Sequence, residues 1–245
     1  LTGCSRRDIL DDYPVSGVEI SLDWNGVTNK LPEGVRVIFY PKNAEGRKID
    51  TYLSVKGGKV KVPPGRYSVV VYNYDTETVQ IRGEEAYETI EAFTGHCNGL
   101  GIAGTEQLVW GPDPLYVVRI DDLKIENSEE ELQLNWKPKL VVKTYSFKLK
   151  VQGLEYVSSI VGSIEGMSSC YDLGLGCGKA GDSPIYFAAR GSAGEVTGSF
   201  TVFGTSEGVI SRAGNAIKLT LAFVKTDNKV QKMEVDITEV IANSE

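Results

Sequence analysis

KVKVPPGRYSVVVYNY, residues 59–74, is the stretch that decides the fold. Apolar and polar residues alternate over residues 59–62, and a second run rich in β-branched and aromatic residues fills 66–74. Between the two runs stands Pro63-Pro64-Gly65. Prolines cannot donate hydrogen bonds within a central strand, and glycine accepts a positive φ, so the pattern predicts a strand, a tight turn and another strand.

The same two-residue period recurs along the rest of the chain. Val18, Ile20 and Leu22 alternate with polar residues, which is typical of a half-buried strand. Similar runs, separated by residues that favour turns, occupy residues 35–40 (VRVIFY), 115–120 (LYVVRI), 132–136 (LQLNW), 140–151 (LVVKTYSFKLKV), 198–204 (GSFTVFG), 216–224 (AIKLTLAFV) and 232–241 (KMEVDITEVI). Many short strands of this kind predict an all-β fold made of β-sandwiches. Helical spacing is found in residues 83–93 (GEEAYETIEAF), where we expect one short helix.

The chain of 245 residues is long enough for two modest domains. Its most polar stretch, residues 124–131 (KIENSEEE), lies near the middle, and we interpret it as the junction between an N-terminal domain, 14–126, and a C-terminal domain, 127–245. The alternative is a long solvated hairpin inside one sandwich. Residues 5–13 (SRRDILDDY) carry five charges, so we expect residues 1–13 to be a flexible tether.

Charge and hydropathy limit the classes of partner. Against 26 Lys and Arg stand 33 Asp and Glu, which gives a formal net charge of −7. Because no basic cluster is longer than Arg6-Arg7, we do not expect a nucleic-acid partner. No run of about 18 apolar residues is present, so any membrane attachment would come from Cys4. Residues 1–4 (LTGC) resemble the lipobox of bacterial lipoproteins, in which the cysteine becomes the lipidated first residue.

The sequence does not predict a catalytic site, a cofactor or a metal. The single histidine, His96, is followed by Cys97, and adjacent side chains on a strand point to opposite faces. Residues 173–181 (LGLGCGKAG) resemble a phosphate loop, but Ala180 stands where the magnesium-binding Ser or Thr would be. We therefore expect a protein that is not an enzyme.

Two further side-chain features have alternatives that the sequence leaves open. Cys170 and Cys177 either form a disulfide across the glycine-rich loop or remain reduced, half-buried thiols. Trp24 and Trp136 continue the apolar phase of their strands, which predicts core positions. Trp110 precedes a Gly-Pro turn instead, and it is the candidate ligand contact if the surface binds sugars.

Residues 64–77 (PGRYSVVVYNYDTE) and 161–173 (VGSIEGMSSCYDL), together with the lipobox, resemble the fimbrillin-anchor-like lipoproteins. These are minor fimbrial subunits of anaerobic Gram-negative bacteria that build type V pili. The resemblance covers most of the chain and rests on structural motifs. It implies two tandem Greek-key, transthyretin-like β-sandwiches and lipid anchoring by Cys4 at the outer membrane.

The same resemblance implies a fimbrial, pilin-like protein partner that is bound by β-strand addition, in which main-chain hydrogen bonds join two subunits. The C-terminal run of residues 232–241 alternates well enough to be either a resident strand or a donated one. The alternative function is that of a surface glycan-binding lipoprotein, with Trp110 as its ligand contact.

Overall fold

The structure is a computed structural model, and it describes residues 16–43, 46–97, 107–128, 130–180, 183–204 and 216–243. The described residues form 18 strands, one turn of 3-10 helix and a five-residue helix, α1 (Thr238–Ala242), so the predicted all-β fold is confirmed. The first nine strands are β1 (Ser16–Leu22), β2 (Gly34–Pro41), β3 (Ile49–Ser54), β4 (Gly57–Val62), β5 (Gly65–Asn73), β6 (Val79–Arg82), β7 (Glu91–Thr94), β8 (Tyr116–Ile125) and β9 (Leu132–Trp136). The other nine are β10 (Lys139–Leu140), β11 (Val142–Lys150), β12 (Val157–Glu165), β13 (Ser168–Asp172), β14 (Cys177–Ala180), β15 (Ile185–Ser192), β16 (Glu195–Phe203), β17 (Lys218–Lys225) and β18 (Val230–Asp236).

The chain divides into two compact units, which are not consecutive halves. Unit 1 contains the described residues up to Tyr74 together with Ile120–Pro138, and unit 2 contains those of Asp75–Arg119 and Lys139–Glu245. This division differs from the predicted boundary between 126 and 127. The polar segment that suggested the boundary connects β8 to β9 inside unit 1. Its polarity reflects a solvated connection within one unit, which composition alone does not distinguish from a linker.

Unit 1 is built on a sheet with the strand order β8-β5-β2-β3-β4-β1-β9. The pairs from β5 to β1 are antiparallel, and β1 pairs with β9 in parallel. Val18, Ile20 and Leu22 are buried on β1, as the alternation predicted. The strands on either side of the double proline do not form a hairpin, because β4 pairs with β1 and β3 while β5 pairs with β2. The Tyr67 hydroxyl donates a 2.9 Å hydrogen bond to the Pro63 carbonyl at this turn.

Unit 2 contains a six-stranded antiparallel sheet, in the order β11-β16-β15-β12-β17-β18, and a four-stranded antiparallel sheet, β14-β13-β7-β6. The six-stranded sheet carries an apolar core in which the Phe187 and Phe200 rings lie 5.5 Å apart. Gly162 on β12 leaves the space that Phe187 fills, since a Cβ there would lie 2.0 Å from the ring. The short β10 pairs with the first residues of β8.

The short helix predicted over residues 83–93 is wrong. Gly83 adopts a φ of +67° directly after β6, and the next residues form turns in which the Thr89 and Ile90 amides both donate to the Ala86 carbonyl. From Glu91 onward the chain is β7, which pairs with both β6 and β13. Pairing with two strands overrides a weak helical periodicity of a few residues, because an isolated helix of that length is marginal in water.

Candidate functional site

β1 begins at one end of the unit 1 sheet, and the chain passes into unit 2 at the other end. β1 begins at Ser16 and ends at Leu22, which lies beside Trp136, the last residue of β9. Four successive antiparallel pairings separate β1 from β5, so β5 runs in the same direction as β1. The chain passes into unit 2 after Tyr74, just beyond β5, and after Pro138, just beyond β9. Both passages therefore lie at the end opposite Ser16.

This arrangement makes β1 resist a pull along its own axis. β1 is paired on both sides, over six residues with β4 and over five with β9, and the Asp23 amide adds a 2.8 Å hydrogen bond to the Trp136 carbonyl. A force between Ser16 and the passage after Pro138 loads these hydrogen bonds in shear. Many bonds must then break together, whereas a force that peels a strand away from its neighbour breaks them one at a time.

The C-terminal run forms an outer strand of the six-stranded sheet in unit 2. β18 pairs with β17 in a register that runs from Lys218 opposite Asp236 to Val224 opposite Val230. The helix that follows fixes its end, because Ile241 is buried and the Thr238 hydroxyl accepts a 2.8 Å hydrogen bond from the Ile217 amide. In this structure, residues 230–236 are thus a resident strand of the chain itself.

One face of the four-stranded sheet carries a charged cluster, which consists of Arg82, Glu91, Asp172 and Lys179. Glu91 is opposite both Arg82 and Asp172 in the register, so these side chains share a face. The Lys179 ammonium lies 2.9 Å from a Glu91 oxygen and 3.0 Å from an Asp172 oxygen, and Arg82 forms a second ion pair with Glu91. The charges are paired although the Asp172 side chain is only 2% exposed, which is how proteins accommodate buried carboxylates.

Contacts within the charged cluster shift the pKa values of Glu91 and Lys179. Desolvation raises the pKa of the Glu91 carboxyl, but hydrogen bonds from Lys179 and Arg82 outweigh it and leave this pKa below its usual value. Hydrogen bonds to Glu91 and Asp172 raise the pKa of Lys179 to about 12. Glu91 and Lys179 are therefore both ionised near neutral pH. Its groups are engaged with one another, which is the pattern of a structural ion-pair network.

The three described cysteines are free thiols. Cys170 is opposite Lys179 and Cys177 is opposite Asp172, so the two cysteines are diagonal neighbours on adjacent strands. Diagonal partners in an antiparallel pair lie about 7–8 Å apart, beyond the usual range of about 4.4–6.8 Å between the Cα atoms of a disulfide. Of the two alternatives that the sequence left open, this register favours reduced thiols. Burial raises the pKa of the Cys97 thiol to about 11.

Trp110, the predicted ligand contact, lies in unit 2 with 38% of its surface exposed. Its ring packs edge-to-face against Tyr186, with 5.4 Å between the ring centroids, and its amide donates a 3.0 Å hydrogen bond to the Gly95 carbonyl. Trp136 is buried as predicted, whereas Trp24 lies beyond the end of β1 and is only partly buried. A ligand at Trp110 stays a prediction.

A second aromatic surface, on unit 1, was missed by the sequence analysis. The Tyr52 and Tyr74 rings are 60% and 45% exposed, and they contact each other edge-to-face with 5.2 Å between centroids. Beside them, Arg36 forms a two-point ion pair with Asp50, with N–O distances of 2.8 and 2.7 Å. In IDTYLS on β3, Tyr52 occupies one of the alternating positions that face solvent. An aromatic residue at a position where the alternation calls for a polar one is the signal that could have revealed this surface.

Other predicted features are placed as follows. Cys4 and the tether lie outside the described residues. His96 is exposed, and its backbone forms an isolated bridge with Val109. Within the described ranges, no three His, Cys, Asp or Glu side chains are grouped as metal ligands would be. The helices of this part of the chain include none that is long and apolar enough to cross a membrane.

Comparison with known proteins identifies the class of this all-β, two-unit protein. It shares the fold of the fimbrial anchor protein Mfa2 of Porphyromonas gingivalis, with a TM-score of 0.60, 11% identity, and coverage of 93% of this chain and 83% of that one. The chain belongs to the family described as domain of unknown function DUF5119, whose model matches residues 3–188.

Two relatives from Bacteroides ovatus are much more similar in sequence. The chain is 61% identical to a protein named as the fimbrium anchoring subunit Fim4B, over 100% of this chain and 77% of the relative. It is 60% identical to a protein described as an adhesin, whose crystal structure aligns with a TM-score of 0.88 over 99% of this chain and 90% of that one. The resemblance to fimbrial anchor proteins that the sequence indicated is thereby confirmed.

Proposed function

We propose that this protein is an anchoring or minor subunit of a fimbrium at the cell surface. On this proposal it is not an enzyme, and it is held at the outer membrane by acyl chains on Cys4. The observation that carries the proposal is the direction of β1 in unit 1, which begins at Ser16 and ends at Leu22 beside Trp136, two residues before the chain passes into unit 2. The name of the 61% identical relative Fim4B points to the same role.

The direction of β1 matters because an anchor transmits force between a membrane and a filament. If the membrane holds the segment before Ser16, tension enters unit 1 through β1, the strand that β4 and β9 pair on both sides. Each buried methylene of an acyl chain contributes about 0.8 kcal/mol, and one chain alone binds only marginally. Stable anchoring takes more than one chain, so on this proposal Cys4 carries several.

The fimbrial partner binds, on this proposal, by adding a strand along the outer edge of β18. An outer strand offers a row of main-chain donors and acceptors to an incoming strand, and alternate side chains set the register. β18 is suited to this role because its own pairing with β17 and the burial of Ile241 hold it in place. A pilin-like subunit can thus be captured without unfolding unit 2.

Lipid anchoring is tested by Cys4→Ala, with Cys97→Ala as the matched control that retains Cys4. We expect Cys4→Ala to move from the membrane to the soluble fraction with an unchanged melting temperature, because the lipid contributes nothing to a core. Mass spectrometry should find acyl chains on Cys4 in the control alone. Retention of Cys4→Ala in membranes, or a markedly lower melting temperature, would contradict the proposal.

Strand addition is tested by two proline variants at neighbouring positions, Gln231→Pro and Lys232→Pro. Neighbouring amides on a strand point to opposite edges, so one proline removes a hydrogen bond to β17 and the other removes an outward donor. The variant whose proline replaces an outward-pointing amide keeps all hydrogen bonds to β17, so it is the one of the two whose melting temperature is nearly unchanged. We expect this variant to lose co-purification of pilin-like subunits, and full co-purification would exclude β18 as the docking edge.

A further inference from the structure

The surface around Tyr52 and Tyr74 has the properties of a ligand site. The two residues are 60% and 45% exposed, and their rings contact each other edge-to-face. We call these two residues, with Arg36 and Asp50 beside them, the tyrosine platform. Covering exposed aromatic surface is favourable in water, so two such side chains in contact with each other offer a surface that a ligand can cover.

The tyrosine platform is rigid before any ligand binds. Tyr74 packs against Gly34, where a Cβ would come within 2.7 Å of the Tyr74 hydroxyl and of the Leu53 carbonyl, so the absent side chain makes room for the ring. The Arg36 guanidinium is 5.6 Å from the Tyr52 ring centroid, and it also donates a 2.9 Å hydrogen bond to the Tyr72 hydroxyl. Rings fixed in this way lose little conformational entropy when a ligand covers them.

The charges of the platform favour a neutral ligand. Arg36 gives two of its donors to Asp50 and a third to Tyr72, so its positive charge is already compensated. An anionic ligand would have to compete with Asp50 for the same donors. Acceptor capacity remains, because an ionised carboxylate has about four lone-pair sites and Asp50 is 27% exposed. The platform thus offers aromatic faces together with carboxylate and hydroxyl groups at its rim.

We propose that the tyrosine platform binds a neutral carbohydrate. The C–H bonds on one face of a pyranose ring carry partial positive charge and pack on the electron-rich face of an aromatic ring. The sugar hydroxyls donate to Asp50 and exchange hydrogen bonds with the Tyr52 and Tyr74 hydroxyls. The site consists of residues of unit 1 and β18 belongs to unit 2, so the proposal adds a glycan-binding activity to the proposed fimbrial role.

The test is native affinity electrophoresis of the Cys4→Ala protein in gels that contain one polysaccharide each. The probes are four neutral polymers, namely mannan, xylan, a mixed-linkage β-glucan and dextran, and one anionic polymer, alginate. We expect retardation by at least one neutral polymer and none by alginate. Absence of retardation by all four neutral polymers, or retardation by alginate alone, would overturn the proposal.

Variants then locate the site. Tyr52→Ala and Tyr74→Ala should each weaken the neutral-polymer interaction about tenfold, which corresponds to about 1.4 kcal/mol. Tyr74→Phe, which keeps the ring, should retain most of the affinity. The matched control is Tyr156→Ala, since Tyr156 is a 64% exposed tyrosine on unit 2. Trp110→Ala provides the second control.

Melting temperatures confirm that each variant is folded, and Tyr52→Thr, which also removes the ring and favours a strand, replaces Tyr52→Ala if the latter is not. The proposal is wrong if both platform variants bind as the wild type does, or if Tyr156→Ala or Trp110→Ala removes the binding. It is also wrong if the platform variants lose a fimbrial subunit and keep the polysaccharide, because the platform is then a protein contact.

Discussion

Replacement of Lys179 by methionine should destabilise unit 2 far more than its surface position suggests. The Lys179 side chain is 44% exposed. Its ammonium, however, pairs with two buried carboxylates, because the Glu91 and Asp172 side chains are only 10% and 2% exposed. Methionine has a similar length and keeps the packing of the stem. The substitution therefore removes the charge and leaves both carboxylates in a site that water reaches poorly.

The magnitude follows from the two hydrogen bonds that are lost, at 2.9 and 3.0 Å. Hydrogen bonds to charged groups contribute about 1.5–3 kcal/mol each, so the unscreened loss is about 3–6 kcal/mol. Solvent screening of the half-exposed ammonium reduces this, while Glu91 retains Arg82 and Asp172 retains the Leu175 amide. We expect a loss of about 2–3 kcal/mol, or a melting temperature lower by roughly 4–12 °C.

The pH dependence provides an independent check with a defined sign. The pKa of Glu91 is lowered in the folded state, so its stabilisation is present above its ordinary value of 4.5 and is lost as the pH falls through the lower folded value. The pKa of Lys179 is raised to about 12, so its stabilisation is present below 10.5 and is lost as the pH rises through about 12. The difference between wild type and Lys179→Met should therefore be largest near neutrality and shrink toward pH 3.

The assay is urea denaturation at pH 7 and pH 3, with Lys148→Met as the matched control. Lys148 also forms a 2.8 Å ion pair on unit 2, with Glu195, but both side chains are substantially exposed, at 62% and 36%. Exposed pairs contribute about 0–1 kcal/mol, so this control should change the free energy of unfolding little. Equal effects of the two substitutions at pH 7 would refute the argument that burial of the carboxylates determines the loss.

Three further predictions concern other parts of the molecule. Gly162→Ala places a Cβ 2.0 Å from the Phe187 ring, so thermal denaturation should show a loss of about 1–3 kcal/mol from overpacking. Hydrogen bonding to Arg36 lowers the pKa of Asp50, so Asp50→Asn should cost about 1 kcal/mol at pH 7 and nothing once the pH has fallen well below 3.8, as urea titrations would measure. Because burial raises the pKa of Cys97 to about 11, its alkylation by iodoacetamide, followed by mass spectrometry, should be slow at pH 8 and accelerate up to that pH.

The strands could be predicted because their signal is local. A half-buried strand must alternate apolar and polar side chains, and Val18, Ile20 and Leu22 do so irrespective of which strands lie beside them. The division into units is not local. The strand β8, for example, extends from Tyr116 to Ile125, and the chain passes from unit 2 to unit 1 within it, at Ile120. Nothing in the alternation of its side chains marks that point. The polar segment after it looked like a linker because solvated connections and linkers have the same composition.

The candidate sites show the same limit for side chains. Trp110 was recognised because it stands next to a turn, whereas the contact between Tyr52 and Tyr74 depends on the pairing of β3 and β5 with β2. Pairing also brings Glu91 beside Lys179, which are 88 residues apart in sequence. No spacing rule connects residues on strands whose order in the sheet is unknown, so such clusters become visible only when the register is known.

The strand directions in unit 1 make the two proposals compatible with each other. Tyr74 follows β5 at the end of the sheet opposite Ser16, and seven residues of β1 at about 3.3 Å each separate the two ends by about 20 Å. A membrane that held the segment before Ser16 would therefore have the tyrosine platform at the far end of unit 1. A surface glycan could bind there while β1 transmits tension, since β1 is held by β4 and β9 and the platform is carried by β2, β3 and the end of β5. Binding of a sugar should thus leave the shear resistance of β1 unchanged, and a force measurement with and without the retarding polysaccharide would detect any coupling between them.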